Sequence, residues 1–109
     1  ICVADNDTEA EQLALAAYDA AREHISTIRR RLNTQAENAF VESSLANPRF
    51  AASNSLIYGS PETVSEHIET IQKIGVGGLI IHFRVGTLTR SDNEHSLRLF
   101  AEKVMSEFQ

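Results

Sequence analysis

Ile57-Tyr58-Gly59-Ser60-Pro61-Glu62-Thr63-Val64, followed by Gly75-Val76-Gly77-Gly78-Leu79-Ile80-Ile81-His82-Phe83, decides the fold. The first run joins a short apolar strand (56–58) to a helix start. Ser60 is a good cap, Pro61 suits the first helical position, and Glu62 complements the positive helix end. Val64, Ile68 and Ile71 then form one apolar face of a helix over 61–74, and Gly75 stops it. Gly77-Gly78 bends the chain into a near-continuous apolar run (79–85), the pattern of a strand in a parallel sheet covered by helices.

Working outward, Ser91 with Glu94 fits a capping box that opens a last helix over 92–108. Leu97, Phe100, Ala101, Val104 and Phe108 line its inner side. Toward the other end, Ile1-Cys2-Val3-Ala4 reads as a strand remnant (1–4). Asp5-Asn6-Asp7 is a turn, and Thr8 with Glu11 fits a second capping box for a long helix over 8–32. Ala14, Tyr18, Ala21, Ile25, Ile28 and Leu32 make one stripe on it. A heptad dimer seam is the rival reading of that stripe, but it is short and weighted toward alanine. Residues 33–55 read as irregular, with a short helix over 35–45. Strands alternating with helices give an α/β fold built of parallel βαβ units.

Composition bounds the rest. The chain has 109 residues, 42% hydrophobic and 23% charged, with a formal net charge of −5. That balance argues against a broad phosphate-backbone contact, so no nucleic acid is expected. Arg29-Arg30-Arg31 falls late in the long helix, where it opposes the negative helix end. The single cysteine, Cys2, cannot form an internal disulfide, and a cytoplasmic setting is the simple expectation. There is no run of about 18 apolar residues, so no membrane span is expected. A start in mid-strand reads as a fragment of something longer.

Four segments in order resemble the C-terminal signature of the luciferase-like flavin-dependent monooxygenases. Val3-Ala4-Asp5-Asn6-Asp7-Thr8-Glu9-Ala10 is similar to the segment leaving that family's sixth strand. Ile57 to Val64 is similar to the opening of its seventh barrel helix, Gly75 to Phe83 to its eighth strand, and Ser96 to Met105 to its last helix. The resemblance implies the last β/α units of a TIM (β/α)8 barrel, incomplete here. It implies a full-length oxidoreductase that uses reduced FMN, or a deazaflavin, with oxygen and a small organic substrate. A flavin reductase is an implied partner. The catalytic residues would lie upstream, and the piece alone would neither bind flavin nor turn over.

Barrel active sites lie at the C-terminal ends of the strands. That picks out Tyr58, Gly59, Ser60, His82 and Arg84. Strand alternation puts His82 and Arg84 on one face, toward the barrel mouth, and Ile81 and Phe83 on the other, toward the helices. Arg84 either holds an anion or flavin oxygen or pairs with a rim carboxylate. His82 either donates a proton or positions a ligand in the pocket beside Tyr58, or is an internally bonded barrel histidine. Gly59-Ser60 offers backbone N–H groups to a phosphate, or simply caps the helix; Pro61 removes one such N–H and favours capping. His24, His67 and His95 read as solvated helix residues without metal-site spacing, and no metal is expected. Cys2 reads as a small buried strand residue. Ser43-Ser44, Ser53 and Ser55 lack a nucleophile-elbow context.

Three strands cannot close a barrel, which needs about eight. The expected consequence is order through self-association, domain swapping or the missing upstream part, with the long helix as an interface. Two other functions fit the same residues: a non-enzymatic self-associating module, and a flavin-binding relative without catalysis.

Overall fold

The computed structural model describes residues 1–36, 38–39 and 55–108. Strand β1 (Cys2–Val3) is followed by helix α1 (Asp7–Leu32), strand β2 (Tyr58–Gly59), helix α2 (Pro61–Lys73) and helix α3 (Arg90–Leu99). A π turn (Phe100–Val104) and a 3₁₀ turn (Met105–Phe108) continue α3. β1 and β2 pair in parallel, Cys2 opposite Tyr58 and Val3 opposite Gly59. The Cys2 N–H donates to the Ile57 carbonyl at 2.9 Å and the Ala4 N–H to the Gly59 carbonyl at 3.2 Å. A parallel pair needs a crossover connection, and α1 lies within it. The fold is therefore a helix-rich α/β arrangement on a two-stranded parallel sheet.

The helices begin and end for local reasons, though not always at the expected residue. In α1 the Asn6 side chain accepts from the Glu9 N–H at 2.9 Å, two residues before the expected Thr8–Glu11 box. The Asn6 carboxamide reaches the third helical N–H as well as a threonine would, and Asp7 and Glu9 then occupy the positive first turn. In α3 the box is Thr89–Asp92 rather than Ser91–Glu94. Both pairs have the required spacing, and α3 starts at the earlier one. α2 starts as read, with Ser60 capping the Thr63 N–H at 3.3 Å and Pro61 at its first position.

The core is Val3, Val64, Leu99, Phe100 and Val104, with Ile1, Ile57, Ile68, Ile81, Phe83 and Phe108 packed around it. Phe83 meets Phe100 edge to face, centroids 5.3 Å apart at 70°. The end of α3 departs from the expected pattern. Ser96, Leu99, Phe100 and Val104 face inward, while Leu97 and Ala101 are exposed. The wider π turn changes the helical phase after Leu99, which brings Val104 back under Phe100.

Two corrections concern the sheet and α1. Residues 79–85 form no ladder with either strand. The Ile1 nitrogen donates to the His82 carbonyl at 2.6 Å, and the buried Val3 N–H donates to the Ser96 hydroxyl at 2.8 Å. Both donors lie on the edge of β1 turned away from β2. The segment thus approaches β1, not β2, and α3 fills the rest of that edge. The expected alternation persists without a ladder: Ile81 and Phe83 are half-buried, His82 and Arg84 exposed. On α1, Ala10, Ala14 and Ala17 are buried, but Ile25, Ile28 and Leu32 are 49%, 47% and 80% exposed. Small side chains are buried along the first half of the helix and again at Ser26, while the large apolar residues of the stripe's second half stay open. The short helix expected over 35–45 falls mostly outside the described residues, as do Ser43-Ser44 and Ser53.

Candidate functional site

A parallel ladder sends the chain from both strands toward the same end of the sheet, so α1 and α2 start side by side. There the Asp7 carboxylate accepts the Ser60 N–H at 2.7 Å. The Ser60 hydroxyl accepts the Thr63 N–H and lies 3.3 Å from the Thr63 hydroxyl. Gly59, at φ 154°, lets the three elements meet. A Cβ there would lie 2.7 Å from Thr63 Cγ2 and 3.0 Å from Asp7 Oδ1.

Beside this knot is a concavity of about 310 Å³ lined by Asp7, Thr8, Glu11, Leu56, Tyr58, Gly59, Thr63 and His67. Tyr58 and Gly59 are thus brought together. The Ser60 N–H that a phosphate would use is already engaged by Asp7, and Glu11 adds a second carboxylate. An acidic wall of this kind repels a phosphate. His67, read as a solvated helix residue, lines the same concavity.

The Ser60 N–H, and then the Thr63 hydroxyl, hold the Asp7 carboxyl below its usual value, against a smaller opposing effect of desolvation. A carboxyl with a depressed folded-state value stabilises the fold above its unfolded value. That stabilisation is lost as pH falls through the folded one. The thermal midpoint is therefore expected to drop below pH ~4. Asp7→Asn should lower the midpoint at pH 7 and flatten this part of the acid dependence, as read by circular dichroism melts across the acid range. An unchanged acid profile in Asp7→Asn would refute the assignment.

Arg84 lies elsewhere. It lines a concavity of about 360 Å³ with Phe83, Leu88, Arg90, Asn93, Glu94 and Leu97. Arg90 pairs with Glu94 at 2.6 Å. The Asn93 amide nitrogen donates to the Thr89 and Leu88 carbonyls at 2.9 and 3.3 Å. That fixes the buried Asn93 oxygen as an acceptor with no protein donor. Arg90 and Asn93 were not singled out in the sequence. Their only signal was closeness to Arg84 in the chain.

His82 lines a third, apolar groove of about 270 Å³ with Ile1, Leu56, Ile57, Leu79, Ile80, Ile81 and Val85. Its backbone sits beside the start of β1, whereas Gly59 and Ser60 sit where the strands exit. Tyr58 with Gly59, Arg84, and His82 therefore occupy three separate concavities, and Ser60 lines none of the three. The apolar faces of Leu79 and Ile80 remain open, Ile80 at 93% exposure.

Two further groups resolve simply. Cys2 is buried, and burial pushes its thiol above the usual value, which suits a packed strand residue rather than a nucleophile. His95, read as solvated, lies 3.2 Å from the Asp5 carboxylate. Among the described residues no group of His, Cys, Asp and Glu converges on a metal position, and no helix is long and apolar enough to cross a membrane. In comparisons with known proteins, the chain matches no family model, no curated protein and no solved structure.

Proposed function

We propose that this chain is the closing β/α portion of a luciferase-like flavin-dependent monooxygenase barrel, acting on a small organic substrate. The observation that carries the reading is the parallel β1–β2 pair crossed by α1 and followed by α2 at a Gly-Ser-Pro-Glu turn. The open side chain of Ile80, on the same alternating face as His82 and Arg84, supports it, because that face suits the inside of a larger ring.

Reduced flavin would supply the electrons that activate oxygen. The fit of the residues to such a cofactor is uneven. The Gly59–Ser60 turn does not fit its phosphate, since Asp7 holds the N–H. Arg84 does fit an anionic group, whereas Arg90, in the same concavity, is already paired with Glu94. The role of Arg84 in this reading is to bind and orient, by its fork of donors.

A second reading is a self-contained interaction module without catalysis. The outer edge of β1 favours it, because the Ser96 hydroxyl already accepts the Val3 N–H that a preceding barrel strand would take.

One experiment separates the two readings. The chain by itself and the chain joined to its natural preceding sequence are each titrated with reduced FMN, and Ser96→Ala is melted in both. In the short chain Ser96→Ala should cost about 1–3 kcal/mol, because it orphans a buried N–H. In the barrel reading the longer protein binds reduced flavin, and Ser96→Ala is nearly silent there, since a strand replaces the hydroxyl. No flavin binding, with an equal Ser96→Ala penalty in both proteins, sinks the barrel reading.

A further inference from the structure

The geometry points to the second half of α1 as a docking seam for an amphipathic helix with acidic flanks, supplied by a different protein. The observation is independent of flavin. Tyr18, Ala21, Ile25, Ile28 and Leu32 recur at alternating steps of three and four, the spacing of a coiled-coil seam. Ala10, Ala14 and Ala17 spend the first half of the helix on this fold's own core. Beyond them the three large apolar residues Ile25, Ile28 and Leu32 face outward.

What borders the seam sets its partner. With Ile25 and Leu32 as first positions of successive heptads and Ile28 between them, the flanking positions are Arg22 and Arg29 on one side and His24 and Arg31 on the other. Three of the four flanking positions are arginines. The acidic Glu23 lies on the opposite face of the helix, where it pairs with Arg30 at 3.4 Å. Arg22 leans over the Tyr18 ring, 5.7 Å from its centre, at the end where the seam meets the fold.

These flanks argue against a second copy. A parallel pair would set His24 against Arg29 and gain no ion pair from either flank. An antiparallel pair would set each flank against itself, so that arginine meets arginine. An anionic lipid surface would meet the basic flanks. However, helices that lie in a membrane interface present a broad apolar face, commonly with Trp or Phe. This stripe is one seam wide and carries neither. The occupant that satisfies both stripe and flanks is a helix with Leu or Ile at its seam positions and Glu beside them.

The test uses two labelled peptides of about three heptads, identical at their Leu and Ile seam positions, with Glu at all flanking positions in one and Lys in the other. Fluorescence anisotropy against the full chain should give at least about tenfold tighter binding of the Glu peptide, weakened by salt. Arg29→Glu with Arg31→Glu should reverse the preference, and both sites are exposed, so the fold should survive. Ile28→Asp should abolish binding of the Glu peptide with the circular dichroism spectrum unchanged. Equal binding of both peptides, binding of neither, or a preference indifferent to the charge swap overturns the proposal. So does tighter binding to phosphatidylserine vesicles than to the Glu peptide, or self-association that Ile28→Asp removes.

Discussion

Phe100→Ala is expected to cost about 3–5 kcal/mol, the range for truncating a buried aromatic. Phe100 is 6% exposed, lies in the contiguous core with Val3 and Val64, and receives the edge of Phe83. It is also the residue where α3 gives way to the π turn. Its removal leaves a void between the helix layer and the 79–85 segment, and a segment without a ladder has little else to hold it. A domain of ordinary stability, about 5–15 kcal/mol, would lose a large part of its margin. Urea denaturation followed by circular dichroism measures the loss. Phe100→Leu should recover roughly half of it by refilling volume without the ring contact. A cost for Phe100→Ala below about 1.5 kcal/mol would mean that the 79–85 segment is not packed on this residue.

Gly86→Ala is expected to cost about 2–4 kcal/mol, from a backbone penalty plus a steric one. Gly86 has φ 51°, a region that disfavours any residue with a Cβ. A Cβ at this position would lie inside the van der Waals envelope of the Ala17 carbonyl oxygen and 2.8 Å from its carbon. Ala17 is itself buried on α1, so neither backbone can yield by rotating a side chain. Gly77→Ala and Gly78→Ala are the controls. Nothing lies within 4 Å of a Cβ at either position, so each should cost far less. Comparable melting points for Gly77→Ala and Gly86→Ala would refute the close approach of this turn to α1.

The helices were legible in the sequence because caps, glycine stops and apolar spacing act locally. Ser60-Pro61-Glu62 and Gly75 bound α2 nearly to the residue. The starts of α1 and α3 were harder to read. Asn6 and Thr8, like Thr89 and Ser91, are rival caps two residues apart, and local spacing does not rank them. The π turn has no sequence signature, so the spacing alone places Ala101 inward. The stripe on α1 was legible as apolar, but not as buried. Burial depends on what lies opposite: the alanines of the first half are covered, whereas Ile25, Ile28 and Leu32 stay largely exposed.

The edge of β1 was the least legible feature of the fold. The apolar run 79–85 carries a strand pattern, but pairing requires an open edge, and Ser96 with the Ile1–His82 contact takes the one it reaches. The candidate site suffered from the same non-locality. Asp7 and Ser60 stand far apart in sequence, and only folding reveals that the carboxylate occupies the turn read as a phosphate cradle. Arg84 drew attention by its place on a strand pattern. Its neighbours Arg90 and Asn93 join it through a bend that no periodicity encodes.

The bond between Val3 and Ser96 spans 93 positions of the chain. A ribosome releases the first of these residues long before the second, at roughly 5–20 residues each second. For that interval of several seconds the apolar segment around Val3 has only part of its backbone satisfied, and its sticky edge faces solvent or a chaperone. Folding of this unit therefore waits until Ser96 has left the ribosome. A stalled chain that ends before Ser96 should be far more sensitive to protease than one that ends beyond Phe108.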